Sequence, residues 1–216
     1  MRFLAESLFG MDKAEARDRV PYLPNYYPPE RQTVPAGDDG ETVDVGCFGA
    51  IRSFKNHVGQ AIAAMMFAGR IGRRLRFHIN GDRLERGGHA VSHALDAIFD
   101  ASPTAELIRH DWIPIHSEFL KLVAEMDLVA QVSFAETFNI VGADAASQGV
   151  PLVGSAEIPW ISPLYRANPT DTEDMARVMH RAWELRFENR VVNPNRLGLK
   201  DYSWRSRERW LAYLNG

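Results

Sequence analysis

The sequence contains a single cysteine, Cys47, in 216 residues. One thiol can form no internal disulfide, and it cannot supply the several cysteines of a typical structural zinc site. Small secreted domains commonly depend on disulfides, whereas cytosolic proteins keep their thiols reduced. We therefore expect a protein of a reducing compartment, the cytoplasm.

Long hydrophobic runs are also missing. The longest uncharged, mostly apolar stretch, residues 57–69, is shorter than the ~20 residues that a helix needs to cross a bilayer. At the N-terminus Glu6 interrupts a short apolar segment, and no small-residue cleavage site follows it. The sequence therefore predicts neither an integral membrane segment nor a signal peptide.

Neither sign of charge is in large excess. The 25 Lys and Arg residues stand against 28 Asp and Glu residues, which gives a formal net charge of −3. Proteins that bind nucleic acid through its phosphates usually carry a strongly basic surface, so this balance argues against broad nucleic-acid binding. A hydrophobic content of 45% is that of an ordinary folded domain and excludes disorder for most of the length.

Several motifs of common catalytic and nucleotide sites are absent. Gly81, Gly87 and Gly88 do not form a GxGxxG or phosphate-loop motif, and no GxSxG motif marks a serine nucleophile. His89 and His93 have the i, i+4 spacing of a helical metal pair, but the sequence offers no evident third ligand. Because such histidines are usually structural or solvated, we expect no metal.

The first 40 residues differ in composition from the rest. Residues 1–20 are compatible with a short helix, and residues 21–40 hold five prolines, each of which fixes φ and removes a backbone donor. This composition predicts a proline-rich arm or linker over residues 1–40. Residues 41–216 are then long enough for one folded domain.

Predicted strands and helices alternate after residue 40. Short β-type runs occur at residues 43–48, 75–79, 106–112, 128–132 and 151–154. Apolar or small residues recur at helical spacing at residues 57–69, 88–101, 116–126 and 140–148, and two closing helices are predicted at 171–189 and 202–214.

Two of these helices carry more detailed predictions. In the helix at residues 57–69, one face is expected to carry the apolar residues Val58, Ile62, Met65 and Met66. In the helix at residues 116–126, Ser117 is expected to be the N-cap.

The alternation predicts the fold class. Strands separated by helices of about 10–15 residues form βαβ units with parallel strands, and right-handed crossovers place helices on both faces of the sheet. We expect an α/β fold with a doubly wound, mainly parallel, Rossmann-like sheet. Ligands of such sheets bind outside the carboxyl ends of the strands, so the informative loops are those at residues 49–56, 80–88, 112–116 and 133–139.

The loop after the first strand carries two cations. Gly49 would allow a ligand to approach the backbone closely, and Arg52 and Lys55 would neutralise a diphosphate. The alternative interpretation, two solvated loop cations, stays open on this loop alone.

The loop after the fourth strand carries a carboxylate and leads into a helix of small residues. Glu136 precedes the helix and Asp144 lies within it. A helix N-terminus attracts anions, and paired carboxylate oxygens suit the vicinal hydroxyls of a sugar. In the alternative interpretation, Glu136 only complements the helix dipole and Asp144 is a surface charge.

Residues 133–155, SFAETFNIVGADAASQGVPLVGS, resemble the signature of the retaining GT-B glycosyltransferases that use nucleotide sugars, a group that includes glycogen synthases and enzymes of polysaccharide biosynthesis. The family pattern is an acidic residue, seven others and a second acidic residue, then a small-residue helix and Gly-Val-Pro. The second acidic residue is Asp144 here, where the family usually has Glu. Residues 49–56, GAIRSFKN, resemble the diphosphate-binding loop of the same family, with Ala50 where an Arg is usual and Arg52 two positions later.

The resemblance implies roles for individual residues. Lys55 and Arg52 would bind the donor diphosphate and, with Glu136, would form the catalytic set, Glu136 contacting hydroxyls of the transferred sugar. Asp144 would hold the ribose hydroxyls. The remaining donor-binding positions would be Gly49, the backbone of Thr137, Phe138 and Asn139, and the segment around Trp112 and Ile113 beside the base. For Trp112 an ordinary core position is an equal alternative.

The resemblance also implies what accompanies this chain. It covers one half of a GT-B fold, the C-terminal donor-binding half, so the acceptor would bind to a missing N-terminal domain or to a partner chain. The donor would be a UDP-, GDP- or ADP-sugar, transferred with retention and without a cofactor or metal. The isolated chain would then transfer little or no sugar. A non-catalytic nucleotide-sugar-binding or assembly module, and a sugar-nucleotide epimerase, are the alternatives.

Overall fold

The computed structural model describes residues 7, 10–28, 40–187 and 193–215. The described part of the chain divides into two compact units. Residues 27–201 form the larger unit, and residues 1–26 together with 202–216 form the smaller one. The predicted division at residue 40 adjoins residues 29–39, which lie outside the described residues, and it stays a prediction.

The larger unit is built on one five-stranded sheet with the order β3-β2-β1-β4-β5, in which every neighbouring pair is parallel. The strands are β1 (Thr42–Gly46), β2 (Arg74–Asn80), β3 (Ala105–His110), β4 (Leu128–Gln131) and β5 (Leu152–Gly154). This order winds outward from β1 in both directions, which confirms the predicted doubly wound, Rossmann-like α/β fold.

The helices follow the strands in the predicted order. They are α1 (Lys13–Arg19), α2 (His57–Arg70), α3 (Gly88–Asp100), α4 (His116–Ala124), α5 (Ile140–Gln148), α6 (Thr172–Glu184) and α7 (Pro194–Leu214), with 3-10 helices at Ser53–Lys55 and Pro163–Tyr165. No helix of these described segments is long and apolar enough to cross a membrane.

Side-chain alternation along the strands separates the two faces of the sheet. Val45, Phe77 and Ala130 belong to the main hydrophobic core, together with residues of α2, α3 and α6. The opposite face meets α4, where Phe48 and Phe119 pack edge to face. Helices therefore cover both faces, as predicted.

The buried face of α2 differs from the predicted one. Four of its seven buried residues are alanines; the seven are His57, Gln60, Ala61, Ala63, Ala64, Phe67 and Ala68. Val58, Met65 and Met66 pack only at the edge of the core, and Ile62 is 36% exposed. Alanines let the helix approach the sheet closely, and Phe67 is the one large apolar side chain among its buried residues.

Three predicted boundaries are also corrected. Ser117 lies inside α4, whose N-cap is Ile115 without a side-chain capping bond. The strand predicted to reach residue 112 ends at His110. The last helix begins at Pro194 rather than residue 202, since proline fits the first position of a helix, where no backbone donor is needed.

In the smaller unit, Asp12 caps α1 by accepting hydrogen bonds from the backbone N–H groups of Ala14 and Glu15. The indole Nε1 of Trp210 donates to the carbonyl oxygen of Pro24 at 2.8 Å. The N-terminal segment and the end of α7 therefore hold each other within this unit.

A polar chain crosses the first three strands on the α4 side of the sheet. Asp44 on β1 accepts hydrogen bonds from Arg76 Nε and from His78 Nε2, each at 2.7 Å, and His78 Nδ1 lies 2.9 Å from His110 Nε2. Burial alone would raise the pKa of Asp44, but the hydrogen bonds from His78 and Arg76 outweigh it and lower that pKa. Asp44 is therefore the anionic anchor of this chain.

Asp44→Asn is expected to lower the free energy of unfolding by about 1–2 kcal/mol at pH 7, because three charge-assisted hydrogen bonds to the carboxylate, two from Arg76 and one from His78, are weakened. A carboxyl whose pKa is lower in the folded state than in the unfolded state stabilises the fold at any pH above its unfolded-state pKa. This stabilisation is lost as the pH falls through the folded-state pKa. The difference between variant and wild type should thus shrink in acid. Urea unfolding over a pH series measures it. The matched control is Asp96→Asn, which breaks the exposed pair with Arg109 and should change stability by less than about 0.5 kcal/mol.

Candidate functional site

The strand order places β1 and β4 side by side. The chain leaves β1 towards β2 and returns to β4 only after β3, so the loops that follow β1 and β4 diverge from neighbouring strand ends. This is the switch point at which doubly wound sheets bind their ligands. The loops at residues 47–56 and 132–139 both begin there, as predicted.

The loop after β1 is fixed by its backbone. Gly49 has φ 108°, a left-handed conformation that favours glycine, and its N–H donates to Asn80 Oδ1 at 2.7 Å. Further along, Ile51 exchanges backbone hydrogen bonds with Arg83 and Glu85. The loop after β2 therefore supports the loop after β1.

Close packing at Ile51 requires a second glycine. A Cβ atom on Gly88, the first residue of α3, would lie 2.3 Å from the carbonyl oxygen of Ile51. Glycine at this position lets α3 pack directly beneath the loop that carries the cations.

Two buried amides connect Lys55 to the end of β4. Gln60 donates from Nε2 to the carbonyl oxygen of Lys55, and its Oε1 accepts from the backbone N–H of Val132, both at 2.7 Å. Asn56, in the left-handed conformation with φ 56°, donates to the carbonyl oxygens of Val132 at 3.2 Å and Pro169 at 2.9 Å. These bonds fix the backbone of Lys55 relative to the loop after β4.

Lys55 and Glu136 are in direct contact. Lys55 Nζ donates a hydrogen bond to Glu136 Oε2, and the two side chains are only 13% and 10% exposed. Burial alone would raise the pKa of Glu136, but the hydrogen bond and charge of Lys55, helped by the N–H of Thr137, lower it. A cation and a carboxylate from two different loops therefore meet over the same edge of the sheet.

Asn139 organises the Glu136 side of this pair. It has φ 65°, its Oδ1 accepts from the N–H of Gly142 at 2.6 Å, and it is thereby the N-cap of α5. Its Nδ2 donates to Glu136 Oε2 at 3.1 Å and to Gln131 Oε1 at 3.0 Å, and Gln131 in turn donates to the carbonyl oxygen of Phe48. One amide therefore couples the helix start, the carboxylate and the two central strands.

Asn139→Gly is expected to lower the free energy of unfolding by about 1–2 kcal/mol, mainly because Glu136 and Gln131 lose a hydrogen-bond donor; the lost N-cap itself adds only a few tenths when glycine replaces asparagine. Glycine accepts the positive φ, so the variant removes the side chain without adding backbone strain. Thermal and urea unfolding measure the loss. Asn168 is exposed, and its side-chain oxygen accepts hydrogen bonds from Thr170 within its own turn. It supplies the control Asn168→Gly, which should lose clearly less.

The other predicted residue of the first loop, Arg52, is oriented differently from Lys55. Its Nη1 lies 3.7 Å from Glu85 Oε2, and the side chain is 38% exposed. Its charge still contributes, as the smallest effect, to the lowered pKa of Glu136. Arg52 therefore acts on Glu136 through its charge, while its guanidinium group lies beside Glu85.

Asp144 lies in a closed position, which excludes the interpretation as a surface charge. Its side chain is 2% exposed. Oδ1 accepts hydrogen bonds from the Tyr27 hydroxyl at 2.7 Å and from His116 Nε2 at 2.9 Å. Burial raises the pKa of Asp144, and the hydrogen bonds from Tyr27 and His116 oppose that rise.

The predicted positions beside the base are more open. Trp112 is 57% exposed, so the alternative of a core position is wrong. The backbone N–H of Trp112 donates to Asp82 Oδ2 at 2.9 Å, and the guanidinium of Arg83 lies 5.6 Å from the centroid of the indole ring. Ile113 is half-buried. The backbone carbonyl of Phe138 accepts a hydrogen bond from Trp160 Nε1 at 2.7 Å, and the Phe138 ring is buried.

Several residues of this site were missed in the sequence. Gln60, Gln131 and the side chain of Asn139 hold the two loops together, and Tyr27 and His116 surround Asp144. A signal was available for the two glutamines, because each interrupts an otherwise apolar run next to the site, which the run of Gln60 follows and the run of Gln131 precedes. The sequence contains no comparable signal for Tyr27.

Cavities and groups of metal ligands are further possible features of a binding site. A cavity of about 340 Å³ lies past the carboxyl end of β5, lined by residues 155–157 and 166–169. Among the described residues, no group of three or more His, Cys, Asp or Glu side chains could hold a metal ion. His89 and His93 are both exposed on α3.

Comparison with known proteins identifies the fold. No protein-family model and no curated protein matches the sequence. Solved structures match with TM-scores of 0.60–0.63: trehalose-6-phosphate from E. coli bound with UDP-2-fluoro glucose (0.63; 12% identity), an alpha,alpha-trehalose-phosphate synthase (UDP-forming) from Burkholderia vietnamiensis (0.62; 13%) and a sucrose-phosphate synthase from Thermosynechococcus elongatus (0.60; 16%).

The matches cover different shares of this chain and of the matched chains. They cover 82%, 82% and 80% of this chain but only 44%, 45% and 45% of the respective matched chains. The chain therefore spans less than half the length of these solved structures. Its fold is that of one half of a GT-B glycosyltransferase.

Proposed function

We propose that this chain is the donor-binding half of a retaining glycosyltransferase that uses a nucleoside-diphosphate sugar. The observation that carries the proposal is the contact between Lys55 and Glu136 at the switch point of the sheet. The two side chains supply what such a donor needs at its centre, a cation for the diphosphate and a carboxylate for sugar hydroxyls, within one hydrogen bond of each other.

In this proposal the free site holds itself together through its own charges. Lys55 and Glu136 neutralise each other while both are largely buried. A diphosphate entering the site would take over the hydrogen bonds of Lys55, and the sugar hydroxyls would take over the acceptor oxygens of Glu136. The donor therefore replaces an existing ion pair rather than filling an uncharged hollow.

The proposed chemistry is electrostatic. Transfer requires the sugar–phosphate bond to break while negative charge accumulates on the departing diphosphate. Lys55, Arg52 and the N-terminal end of α5 would stabilise that charge, each well-placed donor contributing a few kcal/mol. Glu136 would hold the sugar in position for attack by an acceptor.

The structural neighbours support the class of substrate. One of them is described as bound with UDP-2-fluoro glucose and another as UDP-forming. Because this chain spans less than half of those proteins, we propose that the acceptor is bound by a second domain or by a partner chain. Sugar transfer by this chain alone is then expected to be negligible, while donor binding is retained.

Isothermal titration calorimetry with UDP-, GDP- and ADP-glucose tests the proposal on the chain as it stands. We expect saturable binding of at least one of the three, competed by the corresponding nucleoside diphosphate. The nucleoside monophosphate should bind much more weakly, because it lacks the group that Lys55 and Arg52 meet. Absence of binding to all three sugars and to UDP, GDP and ADP, with unchanged melting temperatures, would refute the proposed function.

A further inference from the structure

The inference concerns Asp144 and rests on the proposed function. At this position the carboxylate was expected to hold the ribose hydroxyls directly. The side chain is instead 2% exposed, and one oxygen already accepts two hydrogen bonds, from Tyr27 and from His116. Tyr27 and His116 therefore shield most of this carboxylate, and both of their hydrogen bonds end on Oδ1.

The two neighbours of Asp144 differ in exposure. Tyr27 is half-buried, its hydroxyl also lies 3.3 Å from Ser147 Oγ, and its ring lies 6.5 Å from that of Phe138. The side chain of His116 is 59% exposed. Of the groups that contact Asp144, the imidazole is therefore the one that a ligand meets first.

The position of His116 in the fold is consistent with a contact to the nucleoside. His116 is the first residue of α4, which follows the carboxyl end of β3. It stands on the same connection as Trp112 and Ile113, the segment expected beside the base. Its partner Asp144 belongs to α5, the helix that begins at Asn139 beside Glu136.

The two nitrogens of the His116 ring have different hydrogen-bonding roles. His116 Nε2 faces Asp144 Oδ1, and an ionised carboxylate only accepts hydrogen bonds, so the tautomer that fits this contact carries its proton on Nε2. In the neutral imidazole the other nitrogen, Nδ1, is then an acceptor. The ring thus presents an acceptor at the surface, where ribose hydroxyls are donors.

We propose that His116 reads the ribose of the nucleotide, and that Asp144 acts as a positioning residue that fixes the tautomer and orientation of its ring. The binding contact at this subsite is then an imidazole, with the carboxylate behind it. Tyr27 closes the other side of Asp144 and does not contact the nucleotide.

The test is a cycle between protein variants and ligand hydroxyls. Calorimetry measures the affinity for the nucleoside diphosphate that the wild type binds, among UDP, GDP and ADP, and for its 2′-deoxy and 3′-deoxy analogues. We expect the wild type to prefer the ribonucleotide to at least one analogue by about fivefold to tenfold, the scale of one hydrogen bond. In His116→Ala this preference should vanish, while the protein stays folded because Tyr27 still donates to Asp144.

The Asp144 variants separate a positioning role from direct contact. Asp144→Ala should lose the ribose preference to the same extent as His116→Ala, and the double variant should lose no more than either one. Asp144→Asn retains an acceptor oxygen for Nε2 and should recover part of the preference. Tyr27→Phe removes the other donor to Asp144 and should keep the full preference.

Each contrary outcome has a distinct meaning. If His116→Ala keeps the wild-type preference, or if the wild type itself shows none, the role of His116 is refuted while nucleotide binding stands. If the losses of His116→Ala and Asp144→Ala add in the double variant, the carboxylate contacts the ribose itself and the positioning role is refuted. If the wild type binds no nucleotide at all, the proposed function fails, and this inference fails with it.

Discussion

Lys55→Met is expected to weaken the binding of a nucleoside diphosphate by about 100-fold, roughly 3 kcal/mol. Two effects act in the same direction. The variant removes the cation that would meet the diphosphate, and it leaves the carboxylate of Glu136, 10% exposed, without its neutralising partner beside the incoming anion. Calorimetric titration with the diphosphate and with the monophosphate measures the loss, which should fall mainly on the diphosphate.

The controls for Lys55 separate charge from folding. Lys121 lies on the exposed side of α4, so Lys121→Met removes an equal charge away from the site and should leave the affinity within about twofold. Lys55→Met combined with Glu136→Gln removes the unpaired buried carboxylate and should recover thermal stability without restoring diphosphate binding. Nearly wild-type affinity in Lys55→Met would exclude this lysine as the diphosphate ligand.

Much of the fold was predictable because its signals are local. The helix α5 was predicted with the bounds Ile140–Gln148 that the structure has, since Gly149 provides a left-handed residue directly after it. The face of α2 was predicted wrongly: the four residues expected to form it lie at the edge of the core or are exposed, whereas alanines and Phe67 are buried. Packing of this kind depends on distant strands, which a local pattern does not contain.

Part of the site could be predicted from the sequence, and part of it could not. Lys55 and Glu136 could be placed at one edge from the fold class alone, because parallel strands present their carboxyl ends together. The surroundings of Asp144 could not, because Tyr27 is 117 residues distant in the chain and comes from a segment expected to be a linker. Whether the predicted residues bind a donor stays a prediction that the binding experiments decide.

Glu136→Ala is expected to affect two ligands in opposite directions. The affinity for a nucleotide sugar should fall by about 100-fold relative to its nucleoside diphosphate, because charge-assisted hydrogen bonds to two hydroxyls are worth roughly 3 kcal/mol together. The affinity for the diphosphate alone should rise several-fold, since Lys55 no longer donates a hydrogen bond to the carboxylate and is free to bind the diphosphate. A side chain with only a structural role would weaken both ligands alike. Glu125→Ala, an exposed carboxylate just after α4, is the control and should change neither.

The pH dependence of stability gives a second, independent test of the role of Glu136. Lys55 holds the folded-state pKa of Glu136 below its ordinary value against the opposing effect of burial. The pair therefore stabilises the fold above the unfolded-state pKa of the carboxyl, and this stabilisation is lost as the pH falls through the folded-state pKa. Glu136→Gln should show a flatter fall in stability between about pH 5 and pH 3 than the wild type. Parallel curves for the two proteins would mean that the contact with Lys55 contributes nothing to the fold, and the ion pair that the donor is proposed to displace would not exist in solution.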